Sequence, residues 1–463
     1  MSALGPVRRT EPVPLEPCTM LRDRGRPIGS LGRLAALLAL IALVPTVRAN
    51  GAFPDEFSIH FPANAPHRIQ VGANFGLLVS EDDGATWRYA CEPWVTEGSS
   101  DALSPVNVSF YHLTADDAMI ALAKDVTRSQ DDACTWPPSG GVIVNKPVAD
   151  FFPDPTDPTL VLAVVIDASG YYIVASHDGG KTFVDPPIYT STGLITGVEL
   201  SQSTPGVVYV TSINSRGDVA TLDRSDDYGA HWTPHPMTVP SGTEPLIMGI
   251  DPADANTVYL RVSNGGLYDS VVITSNGGQS FDTPLIINGQ FAAFLRAGDG
   301  ALYLGEMRGI LHVRAPGATE FTSHPSAHFR CLGQRAGTSR IFACGDMNID
   351  AFSVGYSDDQ GQTFQPLMSF TQLLGPLTCA PVANACQDHW ARIQGVLGIG
   401  PPPDGGTGPG PDGGVPDAGP VDAGSPPPPS GGGQKSGCST SDGNGAVPLG
   451  LIVVILLLWR VRS

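Results

Sequence analysis

One octet recurs through the chain, and its spacing constrains the fold more than any other feature. Six copies stand at 80–87 (SEDDGATW), 129–136 (SQDDACTW), 176–183 (SHDGGKTF), 225–232 (SDDYGAHW), 274–281 (TSNGGQSF) and 357–364 (SDDQGQTF). Their starts lie 49, 47, 49 and 49 residues apart, and then 83. The long gap holds two units, with a worn copy at 313–321 (VRAPGATEF), which gives seven. A fixed period of about 40–50 residues marks a propeller or a solenoid.

The residue types explain the recurrence. A short strand precedes each octet, as at 76–80, 172–176 and 271–274, and another follows, as at 87–91. Gly84 and its equivalents permit the positive φ of a tight turn. Asp82, Asp131, Asp178, Asp227 and Asp359, with Asn276 in the fifth copy, can accept backbone N–H groups across that turn. Trp87, Trp136, Phe183, Trp232, Phe281 and Phe364 close each unit by packing over the turn and beside a neighbouring sheet. The aspartates therefore read as fold devices rather than catalysts, with a cation at an Asp-Asp pair as the sharper alternative. Each unit has room for four strands, three before the octet and one after. In the first unit they fall near 57–60, 68–72, 76–80 and 87–91.

The pattern Ser/Thr-x-Asp-x-Gly-x-Thr-Trp/Phe resembles the BNR or Asp-box propellers, among them sialidases, xyloglucan-degrading hydrolases and sortilin-type receptors. The resemblance implies an all-β, seven-bladed β-propeller over residues 50–396, with six blades and a long insertion as the alternative. After the last unit, Trp390, Ile393 and Leu397 have helical spacing, so a capping turn is expected there.

The two ends suggest export. Arg22, Arg24, Arg26 and Arg33 precede an apolar run from Leu34 to Val44, and Val47-Arg48-Ala49 suits signal peptidase. Residues 1–49 thus read as a signal-peptide region with cleavage after Ala49, and Met20 offers a start of more ordinary length. Residues 397–437 are rich in Gly, Pro and Asp with almost nothing apolar to bury, the composition of a disordered tether. Gly437-Cys438 follows, then an apolar stretch from Ala446 to Trp459 and two terminal arginines. That stretch is shorter than the ~20 residues of a full span. Residues 438–463 resemble the MYXO-CTERM sorting signals, which implies processing and anchoring at Cys438. An ordinary C-terminal membrane helix is the alternative.

Net charge is -19, which disfavours a phosphate backbone as partner, so no nucleic acid is expected. Six cysteines lie in the body, Cys91, Cys134, Cys331, Cys344, Cys379 and Cys386. An even count in an exported chain suggests disulfides, and sequential pairing is the expectation: Cys91–Cys134, Cys331–Cys344 and Cys379–Cys386. There is no Cys-x-x-Cys, no Gly-x-Ser-x-Gly, no Walker loop and no His-Glu-x-x-His, so no metal, cofactor or catalytic residue is assigned. His231 and His235 read as loop residues, since Pro234 disallows a helical pair. Two function classes stay open. One is a monomeric, surface-anchored, non-enzymatic module that binds a protein or glycan and meets the membrane through the C-terminal segment. The other is an exo-α-sialidase-like or other glycan-active hydrolase on the same scaffold.

Overall fold

The structure, a computed structural model, describes residues 56–96, 110–123, 125–217, 219–264 and 267–400. The expectations for Ala49, for the tether beyond residue 400 and for Cys438 lie outside the described residues. Among those residues no helix is long and apolar enough to cross a membrane.

Seven antiparallel sheets follow one another along the chain. Blade 1 comprises β1 (Glu56–His60), β2 (Ile69–Ala73), β3 (Gly76–Ser80) and β4 (Arg88–Cys91). Blade 2 has β5 (Phe110–Leu113), β6 (Met119–Leu122) and β7 (Val126–Ser129). Blade 3 has β9 (Val148–Pro153), β10 (Val161–Asp167), β11 (Gly170–Ser176) and β12 (Thr182–Ser191), with β8 (Gly140–Gly141) parallel to β12 on its outer edge. Blade 4 is β13 (Leu194–Leu200), β14 (Val208–Ile213), β15 (Ala220–Ser225) and β16 (Thr233–Met237). Blade 5 is β17 (Glu244–Asp251), β18 (Asp254–Ser263), β19 (Asp269–Thr274) and β20 (Asp282–Ile287). Blade 6 is β21 (Phe291–Arg296), β22 (Leu302–Glu306), β23 (Ile310–Arg314) and β24 (Thr322–Pro325). Blade 7 is β25 (Cys331–Gln334), β26 (Ile341–Cys344), β27 (Val354–Ser357) and β28 (Gln365–Met368).

The first strand of every blade touches the first strands of both neighbours, and β25 touches β1. This closes a seven-bladed β-propeller, with the worn unit forming blade 6. Middle strands are apolar on both faces because a blade packs against a neighbour on each side. Thus Val161 to Val165 of β10 and Val208 to Val210 of β14 are continuously buried rather than alternating.

Each octet knits its turn in the same way. In the first, Ser80 Oγ accepts the Gly84 N–H at 2.8 Å and donates to Asp82 Oδ1 at 2.9 Å. Asp82 then accepts the Thr86 N–H at 2.8 Å and the Thr86 hydroxyl at 2.7 Å. The bonds recur at Asp131, Asp178, Asp227, Asn276 and Asp359. His231 replaces the Thr of the fourth copy and still reaches Asp227 at 2.6 Å. The fourth and fifth octet positions are left-handed, at φ 57° for Asp83 and 92° for Gly84, and even Ala133 takes φ 67°. The aromatic finishes the unit: Trp87 Nε1 donates to the Gly84 carbonyl at 2.9 Å, and Trp232 Nε1 also reaches Ile188 of the preceding blade at 2.9 Å.

Blade 2 departs from the rule because Pro137 and Pro138 follow its octet. Neither can donate a ladder hydrogen bond. Instead of a fourth strand, 137–139 makes two bonds to β7 and the chain then crosses to the edge of blade 3.

The C-terminal segment seals the ring. After a 3-10 turn at Phe370–Gln372 it runs beside β4, where Tyr89 donates to Gly375 at 3.1 Å and Leu377 donates to Tyr89 at 2.9 Å. Helices α2 (Ala380–Ala385) and α3 (Gln387–Val396) then pack on blade 1, burying Val382, Ile393 and Leu397; α1 is the single turn Glu92–Val95. The expected helix is therefore present after the last blade, and the blade it covers is blade 1.

This return path corrects two of the three expected disulfides. Cys331–Cys344 spans its hairpin, with Cα atoms 4.7 Å apart. Cys91 pairs instead with Cys386, and Cys134 with Cys379, at Cα separations of 5.6 and 6.0 Å. Cys91–Cys134 and Cys379–Cys386 do not form, because the returning segment lays each tail cysteine against a different blade. Sequence proximity misleads wherever a ring brings its ends together.

If the octet aspartate holds the turn, Asp82→Ala and Asp178→Ala should each destabilise the protein by about 1 kcal/mol, the scale of a lost capping carboxylate. Chemical denaturation should show a lower midpoint with an unchanged slope; an unchanged midpoint would refute the role.

Candidate functional site

The octet residues expected from the sequence sit in turns between third and fourth strands. The structure brings none of the five octet aspartates, Asn276 or the six aromatics into a common site. Their carboxylates are occupied: a hydrogen bond from Thr363 holds Asp359 down at about 2, and one from His231 does the same for Asp227. His231 and His235 do not converge, and the described residues contain no group of three metal-ligating side chains.

What the octet motif misses lies on the innermost strands. His60 of β1, His112 of β5, Asp150 of β9 and Glu199 of β13 form an arc over four consecutive blades. Each leans toward the next. His60 senses the charge of His112, and His112 packs edge-on to Phe151 at 5.2 Å. Asp150 accepts the Phe151 N–H at 2.8 Å and, across the blade gap, the Val198 N–H at 3.2 Å. Glu199 meets the backbone N–H of Ile250 in blade 5. All four side chains are half-buried by surface area, yet neighbouring strands crowd them, and His60 Nε2 has no hydrogen-bond partner.

Crowding out of water disfavours the charged form of each group. Desolvation pushes Asp150 up to about 7, and desolvation with the nearby Asp150 pushes Glu199 up to about 8. It pushes His60 down to about 3, helped by His112, and His112 down to about 4. At neutral pH the arc is thus two uncharged imidazoles beside Glu199, which keeps its proton, and Asp150, which titrates there.

A second feature lies at the opposite strand ends from the octets. A hollow of about 420 Å³ on blade 3 is lined by Lys146, Asp167, Tyr171, Tyr172, Asp185 and Thr190. Lys146 donates to the Tyr172 hydroxyl at 2.7 Å and stands 3.9 Å from Asp167. A neighbouring hollow of about 330 Å³, between blades 2 and 3, shares Lys146 and adds Asp125, Asn145 and Val148. The two make one polar groove with aromatic sides. No sequence motif signals it, since its residues come from two loops and all four main strands of blade 3.

No family model matches the chain, and no curated protein matches it. Solved structures do. The chain is similar to YCF48 from Cyanidioschyzon merolae at 15% identity and a TM-score of 0.43, over 64% of this chain and 94% of that one. It is similar to the extracellular domain of a putative one component system from B. thetaiotaomicron at 11% and 0.45, over 66% and 39%. It is also similar to an oligogalacturonate lyase in complex with manganese at 9% and 0.46, over 63% and 86%.

The arc carries a pH signature. Above about 6.5 the unfolded chain has lost protons that native Asp150 and Glu199 keep, so stability should fall as pH rises from about 6.5 to 8. Between about 4 and 6.5 the depressed histidines impose the opposite slope, which offsets it. The Asp150→Asn/Glu199→Gln double variant should keep a level Tm from pH 6.5 to 8. A decline as steep as that of the parent chain would refute the assignment.

Proposed function

We propose that the chain is an exported, surface-held Asp-box propeller whose task is to bind a polar chain, glycan or peptide, in the Lys146 groove. The observation that carries this is the groove itself. A cation fixed between a phenol and a carboxylate, with Tyr171 as an apolar wall, offers donors, acceptors and a ring face within one concave strip. The leader ending at Ala49 and the Gly-Cys438 tail support an outward-facing module on a flexible tether. Fractionation of producing cells with an antibody to the propeller reads the location, and recovery from the cytosol would contradict it.

A second reading rests on a different observation. Asp150 and Glu199 are neighbouring carboxyls held protonated near neutrality, the state a general acid needs in glycoside hydrolysis. The binding reading is preferred because the groove lies open while the carboxyls sit crowded between inner strands.

A glycan and peptide array probed with the full chain should reveal ligands, and Lys146→Ala should weaken them at least tenfold with Tm unchanged. If the parent binds and Lys146→Ala binds equally well, the groove is not the site. Product release from the array glycans, lost in Glu199→Gln, would favour the hydrolase.

A further inference from the structure

Arginines recur beside the octets, and Arg68, Arg224 and Arg340 each meet a carboxylate at the second octet position, whereas Arg128 does not. Arg68 Nε bonds both oxygens of Glu81 at 2.9 Å in blade 1. Arg224 Nε bonds Asp226 at 2.9 Å in blade 4, and Arg340 holds Asp358 through Nε and Nη2 at 2.7 and 2.8 Å in blade 7. Arg128 and Arg224 occupy the same register position, each immediately before its octet serine. The residue that is Asp226 in blade 4 is Gln130 in blade 2, an amide in place of the carboxylate.

Arg128 is left unsatisfied as a result. Its side chain is only 6% exposed, and its nearest carboxylate, Asp116, is 3.7 Å from Nη2. Nε is buried with no partner. Gln130 turns away, donating to Asp116 at 3.3 Å. Arg224 by contrast also bonds the Tyr209 hydroxyl at 3.0 Å and Asn256 at 2.7 Å. A buried guanidinium short of hydrogen bonds is costly, so one held only by a 3.7 Å ion pair with Asp116 marks a place where a second partner belongs.

The partner has room. A hollow of about 470 Å³ opens against Arg128, walled by Pro137 and Pro138, with Gln130, Ser139 and Lys181 at its sides. It exists because the two prolines prevent a full fourth strand in blade 2. Lys181 is exposed and has no ion pair among the described residues. Asp131 also lines the hollow, but its oxygens are engaged by Thr135 and Ser129.

We propose that this hollow binds a small organic carboxylate, whose oxygens pair with the guanidinium of Arg128 on the side that lines the hollow. The guanidinium is flat and forked, which suits a planar carboxylate. The volume matches a single sugar acid or amino-acid derivative rather than a polymer. This site lies at the octet end of the blades, away from the Lys146 groove, and stands independently of it.

The test titrates the purified full chain with D-glucuronate and N-acetyl-L-glutamate, against D-glucose and N-acetyl-L-glutamine as their neutral counterparts and with phosphate and sulfate as other anions. At least one carboxylate should bind tenfold or more tightly than its neutral counterpart, and which one identifies its source. Arg128→Gln should lose that binding by at least tenfold. Gln130→Glu keeps Arg128 and rebuilds the internal pair, so it should raise Tm while abolishing binding, which guards against a misfolded Arg128 variant. Absence of any carboxylate binding, equal binding of the neutral counterparts, a preference for phosphate or sulfate, or undiminished binding in Gln130→Glu would each overturn the proposal.

Discussion

A propeller blade is apolar on both faces, so it is stable only with a neighbour on each side, and the ring must therefore close. Here blades 1 and 7 are each built from their own end of the chain, with no strand exchanged between them. Direct packing supplies part of the seal: Phe61 lies 4.9 Å from Phe342, and Arg335 of blade 7 reaches Asp83 of blade 1 at 2.6 Å. The rest comes from the returning segment, which continues the sheet beyond β4 and puts Pro376 on the edge, where a missing N–H does no harm. Cys91–Cys386 closes a loop of 295 residues, and Cys134–Cys379 one of 245. In the chain-entropy account, loops this long stabilise by about 5 kcal/mol, the upper end of what a disulfide delivers.

Given closure, the octets do the local work. A serine hydroxyl, a carboxylate and two left-handed positions hold each turn, and the aromatic ties it to its own or the preceding blade. That division of labour leaves the turns chemically saturated. Functional capacity collects where the repeat is broken: at the crowded inner strands, in the loops around Lys146, and beside the prolines of blade 2.

The fold was legible because its devices are local and repeated. The octets, with the worn copy counted, point to seven blades with six as the alternative; the fold resolves this, with Phe321 in the aromatic position and Arg314 stacked over it at 5.6 Å. The disulfides were not legible, because their partners are set by ring topology rather than spacing. His60, His112, Asp150 and Glu199 carry no motif; strands place them together across four units, and nothing in the local sequence tells an inward carboxyl from an outward one. Arg128 lies between. Comparing Arg-Ser-Gln at 128–130 with Arg-Ser-Asp at 224–226 shows the missing charge, but only the folded blade shows that Asp116 stands 3.7 Å away and leaves Nε without a hydrogen bond.

The C-terminal segment closes the ring on blades 1 and 2. Peptide mapping of the non-reduced full chain by mass spectrometry tests this closure. Cross-linked peptides should join Cys91 to Cys386 and Cys134 to Cys379. Peptides joining Cys91 to Cys134 and Cys379 to Cys386 would contradict it.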